Sequence, residues 1–541
     1  MPPARVTRRP ALPVLPASST SEPVVAERDR ADGVRIGVLT LGCDKNTVDS
    51  ERLLARLAAA GAVLAHDPAA ADVVLVNTCG FIDAAKEESI EAILDALRLK
   101  REGRVRAVVA LGCLVQRYKT ELQQELPEVD LFLGLTEAEQ LVPSLRAKGV
   151  LPARPPVSTM ERPLRLLSTR TRHTSYLKVS EGCDHTCAFC AIPLMRGKHR
   201  STPAGVLLAE AIELERQGVV ELNLISQDTT WYGRDLQRGT AAAEGDFFTG
   251  RPFDGMAGPH GPALAGLGAP PPGGCAGAQN HHRAGPVRAG LGRSDTAGER
   301  RGLLRALLER LLAETSIPWF RLFYMYPSGI QRELVELMAA QPRLLPYLDM
   351  PIQHGADAVL RRMRRSERRA TIVERVGWLR SALPQITLRT TVMVGFPGET
   401  DEEYEALLEL LEEVRFDRVG AFPYSEEEGT VAAALPDQVP ATVKRERLEH
   451  LLEMQRGITL ERNEQWVGRA TEVLIDSVTG RDARVGTVPE RGAVGRTRGQ
   501  ALEVDGVVHI ADGRGLQAGE FVRVRITEAL EDDLIGVISG S

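Results

Sequence analysis

Cys183, Cys187 and Cys190 lie within one eight-residue stretch, Cys183-Asp184-His185-Thr186-Cys187-Ala188-Phe189-Cys190, at the spacing C-x3-C-x2-C. Three thiols in a short loop are one fewer than the four thiolates that usually hold an iron–sulfur cube. A cube held by three leaves one iron open to a substrate or cofactor, as catalytic metal sites keep an open position. Structural zinc is the competing reading. Zinc prefers paired C-x2-C units with a fourth Cys or His, and His185, inside the loop, is poorly placed to serve. Three further cysteines, Cys43, Cys79 and Cys113, are distant in sequence. Each is expected just past the C-terminal end of its own strand, after Val34–Leu41, Asp72–Thr78 and Ala107–Leu111 respectively. Ligands bind at that edge of open α/β sheets, so the three thiols should converge there into a second site. Three separate core cysteines would not all occupy one edge.

Positioning these thiols requires several kinds of element. Residues 34–150 alternate strand and helix patterns, with helices over about 47–60 and 82–102, and predict a parallel α/β domain. A second series, over 168–440, has strands at Ser175–Ser180, Val220–Ser226, Trp319–Tyr324, Tyr347–Met350, Ile386–Val394 and Arg418–Phe422. Six strands with intervening helices predict a partial (β/α) barrel whose active face lies at the C-terminal strand ends. Within it, residues 237–300 are dominated by Gly, Ala and Pro and read as a disordered insertion; Cys275, His281 and His282 there are not taken as a metal site. A charged linking helix follows over 441–467. From 468 to 541 the pattern changes to Thr471–Ile475, Gly486–Thr487, Ala501–Val504, Val507–Ile510 and Phe521–Ile526, which suggests a small antiparallel β-barrel.

A chain of 541 residues with 43% hydrophobic content and a net charge of −6 is an ordinary multi-domain protein. Nothing resembles a transmembrane run of about 20 apolar residues, so no membrane partner is expected. Residues 1–33 are rich in Pro, Arg, Ser and Ala without an apolar core segment, and read as a disordered tail, not a secretory signal. Seven cysteines, an odd number in a long chain, argue against a disulfide framework and for a reducing, cytoplasmic setting.

The aromatic residue before the last loop cysteine completes a segment that resembles the signature of radical S-adenosylmethionine (SAM) enzymes. With its flanking regions the chain is similar to the methylthiotransferase family: an N-terminal three-cysteine domain, a radical SAM barrel and a C-terminal TRAM β-barrel. The stretches Leu41-Gly42-Cys43-Asp44-Lys45-Asn46, Asn77-Thr78-Cys79-Gly80-Phe81-Ile82, Pro193-Leu194-Met195-Arg196-Gly197, Tyr324-Met325-Tyr326-Pro327 and Tyr424-Ser425-Glu426-Glu427-Glu428-Gly429-Thr430 resemble the RimO type, which modifies a ribosomal-protein aspartate. Members that modify tRNA tend to carry Ser-His-Pro in place of Tyr324-Met325-Tyr326-Pro327 and an Arg-Pro-Gly-Thr ending in place of the acidic run after Tyr424. Asp44 departs from the family, which usually has proline there.

The resemblance implies two 4Fe-4S clusters, one on Cys183, Cys187 and Cys190 with SAM, the other on Cys43, Cys79 and Cys113 carrying the sulfur. It implies radical attack on an aspartate β-carbon of a basic small-subunit ribosomal protein (S-twelve), free or on the ribosomal subunit, with a sulfur donor and an electron donor as further partners. Phe189 is expected to pack against the cofactor, and Gln227 and Asp228 either to orient SAM or to cap the next helix. Gly395-Phe396-Pro397-Gly398-Glu399 resembles a phosphate loop only superficially and is read as a tight turn beside SAM. The six arginines between Arg361 and Arg369 read as a solvated helix face in preference to an RNA contact. From Gly468 onward nine Lys and Arg oppose twelve Asp and Glu, a poor balance for binding RNA. The rivals are a tRNA adenosine methylthiotransferase and, from another class, a non-catalytic ribosome- or RNA-binding protein with zinc sites.

Overall fold

The computed structural model describes residues 33–153, 164–167, 172–236, 303–478 and 492–539. The tail before Gly33, the insertion with Cys275, His281 and His282, and the strand expected at 486–487 lie outside the described residues.

The first body runs β1 (Arg35–Thr40), α1 (Asp44–Ala59), β2 (Val63–Ala65), β3 (Val73–Thr78), α2 (Asp83–Arg101), β4 (Ala107–Gly112), α3 (Cys113–Glu125), β5 (Leu131–Leu133) and α4 (Leu141–Ala147). Its strands form one parallel sheet in the order β2-β1-β3-β4-β5. β3 and β4 are buried throughout, which is why they read as near-continuous apolar runs and not as alternating ones. Helices cover both faces. Leu57 packs on one side with Leu75 and Val109, and Ile93 and Leu114 on the other with Val74 and Val108.

The second body contains β6 (Thr174–Lys178), a two-stranded hairpin of β7 (Ser180–Glu181) and β8 (Arg200–Ser201), then β9 (Glu221–Ile225), β10 (Trp319–Leu322), β11 (Leu344–Asp349), β12 (Thr387–Val394) and β13 (Arg418–Pro423). Six of these pair in parallel in the order β6-β9-β10-β11-β12-β13, leaving β6 and β13 as the edges of an open barrel. Leu207, Leu307, Leu334, Leu379 and Leu411 of the outer helices cover the strands from outside. The inner face carries Tyr176, Ile225, Trp319, Phe323 and Tyr347. These pack with Val48 of α1 and with Leu474 and Ala501 of the last body.

That last body is a closed barrel of β14 (Ala470–Val478), β15 (Ala493–Thr497), β16 (Val508–Ile510), β17 (Phe521–Ala529) and β18 (Leu534–Ile538). Four of its pairings are antiparallel; β16 and β18 run parallel. The strand expected at Ala501–Val504 is a turn instead, closed by the Asp505 amide on the Ala501 carbonyl at 3.1 Å. Ala501 looks apolar because it enters the larger barrel, not because it joins a sheet.

A buried charge network joins this body to the (β/α) barrel. Glu221, at the start of β9, accepts from Arg321 at 2.9 Å and pairs with Arg496 at 2.7 Å. Arg496 also binds Asp476 at 2.7 Å, and Asp476 meets His173 at 2.9 Å. Removing one member of a buried pair leaves an uncompensated charge and costs about 3–5 kcal/mol. Arg496→Met should therefore lower the unfolding free energy by that amount, read as a shifted denaturant midpoint, while replacing the exposed Arg514 should leave it within about 0.5 kcal/mol.

Candidate active site

Cys43, Cys79 and Cys113 stand where three neighbouring strands end. Cys43 is the N-cap of α1, Cys79 follows β3, and Cys113 opens α3. Glycine makes the approach feasible. Gly42 has φ +85°, and a Cβ there would lie 2.7 Å from the Cys79 Cβ and 2.8 Å from its sulfur. Asn46 organises the edge: its amide donates to the Leu41 carbonyl at 2.8 Å and to the Thr78 carbonyl at 3.2 Å. Its carbonyl oxygen accepts from the Cys113 thiol at 3.8 Å.

The other three thiols lie in the loop between β7 and α5 (Ile192–Arg196). The Cys183 amide donates to the Gly197 carbonyl at 3.0 Å, and that of Cys190 to the Cys187 carbonyl at 3.1 Å, which folds the loop back on itself. Phe189 packs beside Phe396, Tyr424 and Met363 at the barrel mouth. Asp228 is buried, and its carboxylate serves the protein: one oxygen lies 2.7 Å from His185 Nε2, and the other accepts from the Thr230 amide at 2.9 Å. Gln227, beside it, is half-buried. The Gly395 turn closes on the Glu399 carboxylate at 2.9 Å, and Glu399 in turn pairs with Arg447 at 2.7 Å.

The arginine run needs correction. Arg361 and Arg364 are exposed, as a solvated face requires, but Arg365 is turned inward and only 4% exposed. It donates to the Cys187 sulfur at 3.9 Å and to the Pro351 carbonyl at 2.8 Å, and lies 4.1 Å over the Tyr326 ring. Nothing in a run of six arginines marks which one turns in.

The segments that carry the two cysteine trios are in contact. Cys113 packs with Ala191 and Met195, just past Cys190. Arg196, its side chain 1% exposed, donates to Asn46 at 2.7 Å and pairs with Glu181 at 2.8 Å and Asp49 at 3.3 Å. Lys178 links the same two carboxylates. On the other flank Glu427 is buried and binds Lys86 at 2.7 Å and Arg117 at 3.0 Å, so it belongs to the junction and not to an acidic rim. Glu426 and Glu428 remain exposed. Asp44, in the position usually held by proline in the family, accepts from the Tyr324 hydroxyl at 3.3 Å, while Lys45 stands 3.2 Å over the Tyr324 ring. Tyr324 itself has φ +57°, a strained conformation of the kind found at functional sites.

Burial pushes the thiols of Cys113, Cys183 and Cys190 up to about 12 and raises Cys79 as well. Such thiols are poor free nucleophiles; a bound metal supplies the charge that draws them into the thiolate form. Among the described residues no three His, Cys, Asp or Glu side chains gather around a single ion. A cube places each thiolate on a different iron, and three free cysteines at one sheet edge with three more in one loop suit that donor set.

Three family models match the chain: the uncharacterized protein family UPF0004 over residues 35–134, the radical SAM superfamily over 290–411, and the TRAM domain over 467–538. The cysteine loop itself precedes the radical SAM match. Together with the two cysteine trios on contacting segments, these matches define the class as radical SAM methylthiotransferase. The chain is 41% identical to the ribosomal protein uS12 methylthiotransferase RimO of Anaeromyxobacter sp. (strain K), over 93% of this chain and 92% of that one. It is 39% identical to the same enzyme of Desulforudis audaxviator (strain MP104C), over 93% and 97%. The chain belongs to the ribosomal protein uS12 methylthiotransferase RimO family. Among solved structures it is similar to the radical SAM methyltransferase TsrM of Kitasatospora setae, at 12% identity and TM-score 0.47 over 81% of this chain and 79% of that one, a likeness too remote for functional argument.

Glu427→Ala leaves Lys86 and Arg117 short of their shared acceptor and should cost about 1–3 kcal/mol at the junction. Hydrogen exchange should then quicken in α2 and α3, whereas Glu426→Ala should leave it unchanged.

Proposed function

We propose that this chain adds a methylthio group to the β-carbon of an aspartate in ribosomal protein uS12. The proposal includes the division into an N-terminal domain over 34–150, a radical SAM barrel over 168–440, a linking helix over 441–467 and a TRAM barrel over 468–541. It assigns one 4Fe-4S cluster with SAM to Cys183, Cys187 and Cys190, and a second cluster to Cys43, Cys79 and Cys113. When bound, these groups supply hydrogen abstraction from an unactivated carbon and the sulfur to be transferred. The observation that carries the reading is the contact between the two cysteine-bearing segments, with Arg196 of α5 hydrogen-bonded to Asn46 of α1.

The chain's own residues hold the groups in register. Arg365 donates to the Cys187 sulfur and offsets its negative charge once it is a thiolate. Asp228 positions the cysteine loop through His185, and Gln227 and Phe189 are assigned to the SAM side of the site. Around the mouth, Phe81, Ile82, Leu194 and Val431 expose apolar surface beside Glu426 and Glu428. A rim of that character attracts a basic protein loop and repels tRNA phosphates, with attraction that weakens as salt rises.

Two 4Fe-4S clusters imply about eight irons per chain, and replacing the 183/187/190 trio by alanine should leave about half. Under reduction, Cys79→Ala should still release 5′-deoxyadenosine from SAM yet transfer no methylthio group, and Cys187→Ala should do neither. Full iron content in the triple variant, or normal transfer by Cys79→Ala, defeats the two-site assignment. Offered uS12 and total tRNA together with SAM and sulfide, the enzyme should add about 46 daltons, the mass of SCH3 replacing H, to the protein alone.

A further inference from the structure

The Cys183 end of the loop has a flank that plays no part in holding the two cysteine-bearing segments together. His185 stacks on Trp231 with centroids 3.9 Å apart and on Tyr326 at 4.3 Å with an interplanar angle of 5°. Tyr326 lies under Arg365, which touches the Cys187 sulfur, and Trp231 lies under Arg234 at 4.4 Å. An unbroken column of rings therefore runs from the cysteine loop to Trp231, which is partly exposed in a shallow cavity with Asp184, His199, Arg234 and Asp235.

Asp184 and Asp235 line that cavity with Arg234, and two further cations, Lys198 and Arg200, flank His199 beside it. Lys198, Arg200 and Arg234 are exposed, and among the described residues none has a carboxylate within ion-pair distance. They form one patch: the Ser201 amide donates to Asp235 at 2.8 Å, the Gly233 amide to the Ser201 hydroxyl at 2.8 Å, and the His199 amide to Asp184 at 3.0 Å. The two acids in the patch are thus hydrogen-bonded to backbone amides, while the three cations point outward. Three cations against two carboxylates leave the patch a net +1, opposite in sign to Glu426 and Glu428 at the substrate rim.

We propose that this flank is the docking surface of an acidic one-electron carrier protein, and that Trp231 and His185 give its electron a contact path to the cysteine loop. The inference rests on the radical SAM reading above, in which each SAM cleavage consumes one electron. The carrier, bearing a reduced flavin or iron–sulfur group, would give up one electron, and a cluster held by Cys183, Cys187 and Cys190 would accept it. No bond forms or breaks at the surface. Opposite charges raise the encounter rate about 10- to 1,000-fold, with a steep loss as salt rises.

The test compares two reductants in the reconstituted full chain. SAM cleavage is driven either by a reduced acidic flavin mononucleotide carrier protein or by dithionite, in the wild type and in K198E/R200E/R234E. At low salt the carrier-driven rate should fall at least about tenfold in the variant, while the dithionite-driven rate and the iron content stay within about twofold. The wild-type rate with the carrier should fall with added salt and the variant's should not. Equal carrier-driven rates overturn the proposal. So does a variant that keeps those rates but loses modification of uS12 on the ribosomal subunit, since the patch would then serve RNA. Should the triple reversal lose iron, R234E and K198E alone, each expected to slow the carrier-driven rate about threefold and the dithionite rate not at all, decide the matter. A wild type that dithionite cannot drive to cleave SAM tells against the radical SAM reading, not against the docking surface.

Discussion

The site depends on one buried cation. Arg196 leaves the cysteine loop of the barrel with its side chain 1% exposed. A guanidinium so placed is untenable alone, because the desolvation of a charge is repaid only by close and well-directed partners. Two of those partners, Asn46 and Asp49, belong to α1 of the N-terminal sheet; the third, Glu181, belongs to the barrel hairpin. The charge is satisfied only when the two bodies are docked in one register. Apolar contact alone would tolerate sliding between them; hydrogen bonds to a planar guanidinium do not. Asn46 passes that constraint on, since the same amide ties the ends of β1 and β3 and meets the Cys113 thiol.

The remaining architecture closes what six strands leave open. A sheet with free edges at β6 and β13 cannot wall off its own interior, and a radical reaction needs water kept out. The inner side chains are capped by α1 through Val48 and by the small barrel through Leu474 and Ala501. The Glu221–Arg496–Asp476 network fixes the second cap beside the starts of β6 and β9, at the end of the barrel away from the thiols. The C-terminal strand ends are then left as the approach to the site, and there the Glu427 junction holds the two cysteine edges together.

How much of this was legible in the sequence follows from where each signal lives. The thiols, the strands before them and the order of the three bodies were readable, because a strand ending in a glycine–cysteine pair is a local pattern. Short edge strands β2 and β5, of three residues each, carry too few positions for a period of two to show. Ala501 was misplaced because burial in a neighbouring body and burial in a sheet give the same apolar residue. Arg365, Glu427 and Arg196 were missed as individuals for a further reason. Each sits in a run or motif whose members are chemically equivalent until the fold chooses which one turns inward. Asp228 reads as a polar residue at a strand end, but its partner His185 lies 43 positions away, and only tertiary structure pairs them.

The distribution of charge also bears on how one site handles two visitors. The net charge of −6 says little, since many of the charges that matter are paired out of sight. What remains exposed differs in net sign from one flank to the other, even with Asp184 exposed among the cations. Glu426 and Glu428 lie at the mouth where the cysteine-bearing segments meet, whereas Lys198, Arg200 and Arg234 lie along the other end of the same cysteine loop. Screening confines each field to about 8–10 Å at physiological salt, so patches of opposite sign on a single domain can act separately. A basic substrate and an acidic reductant would then approach different flanks without competing. The loop between them is the only element both must reach, and its geometry is set from one side by the Arg196 junction and from the other by the His185 stack.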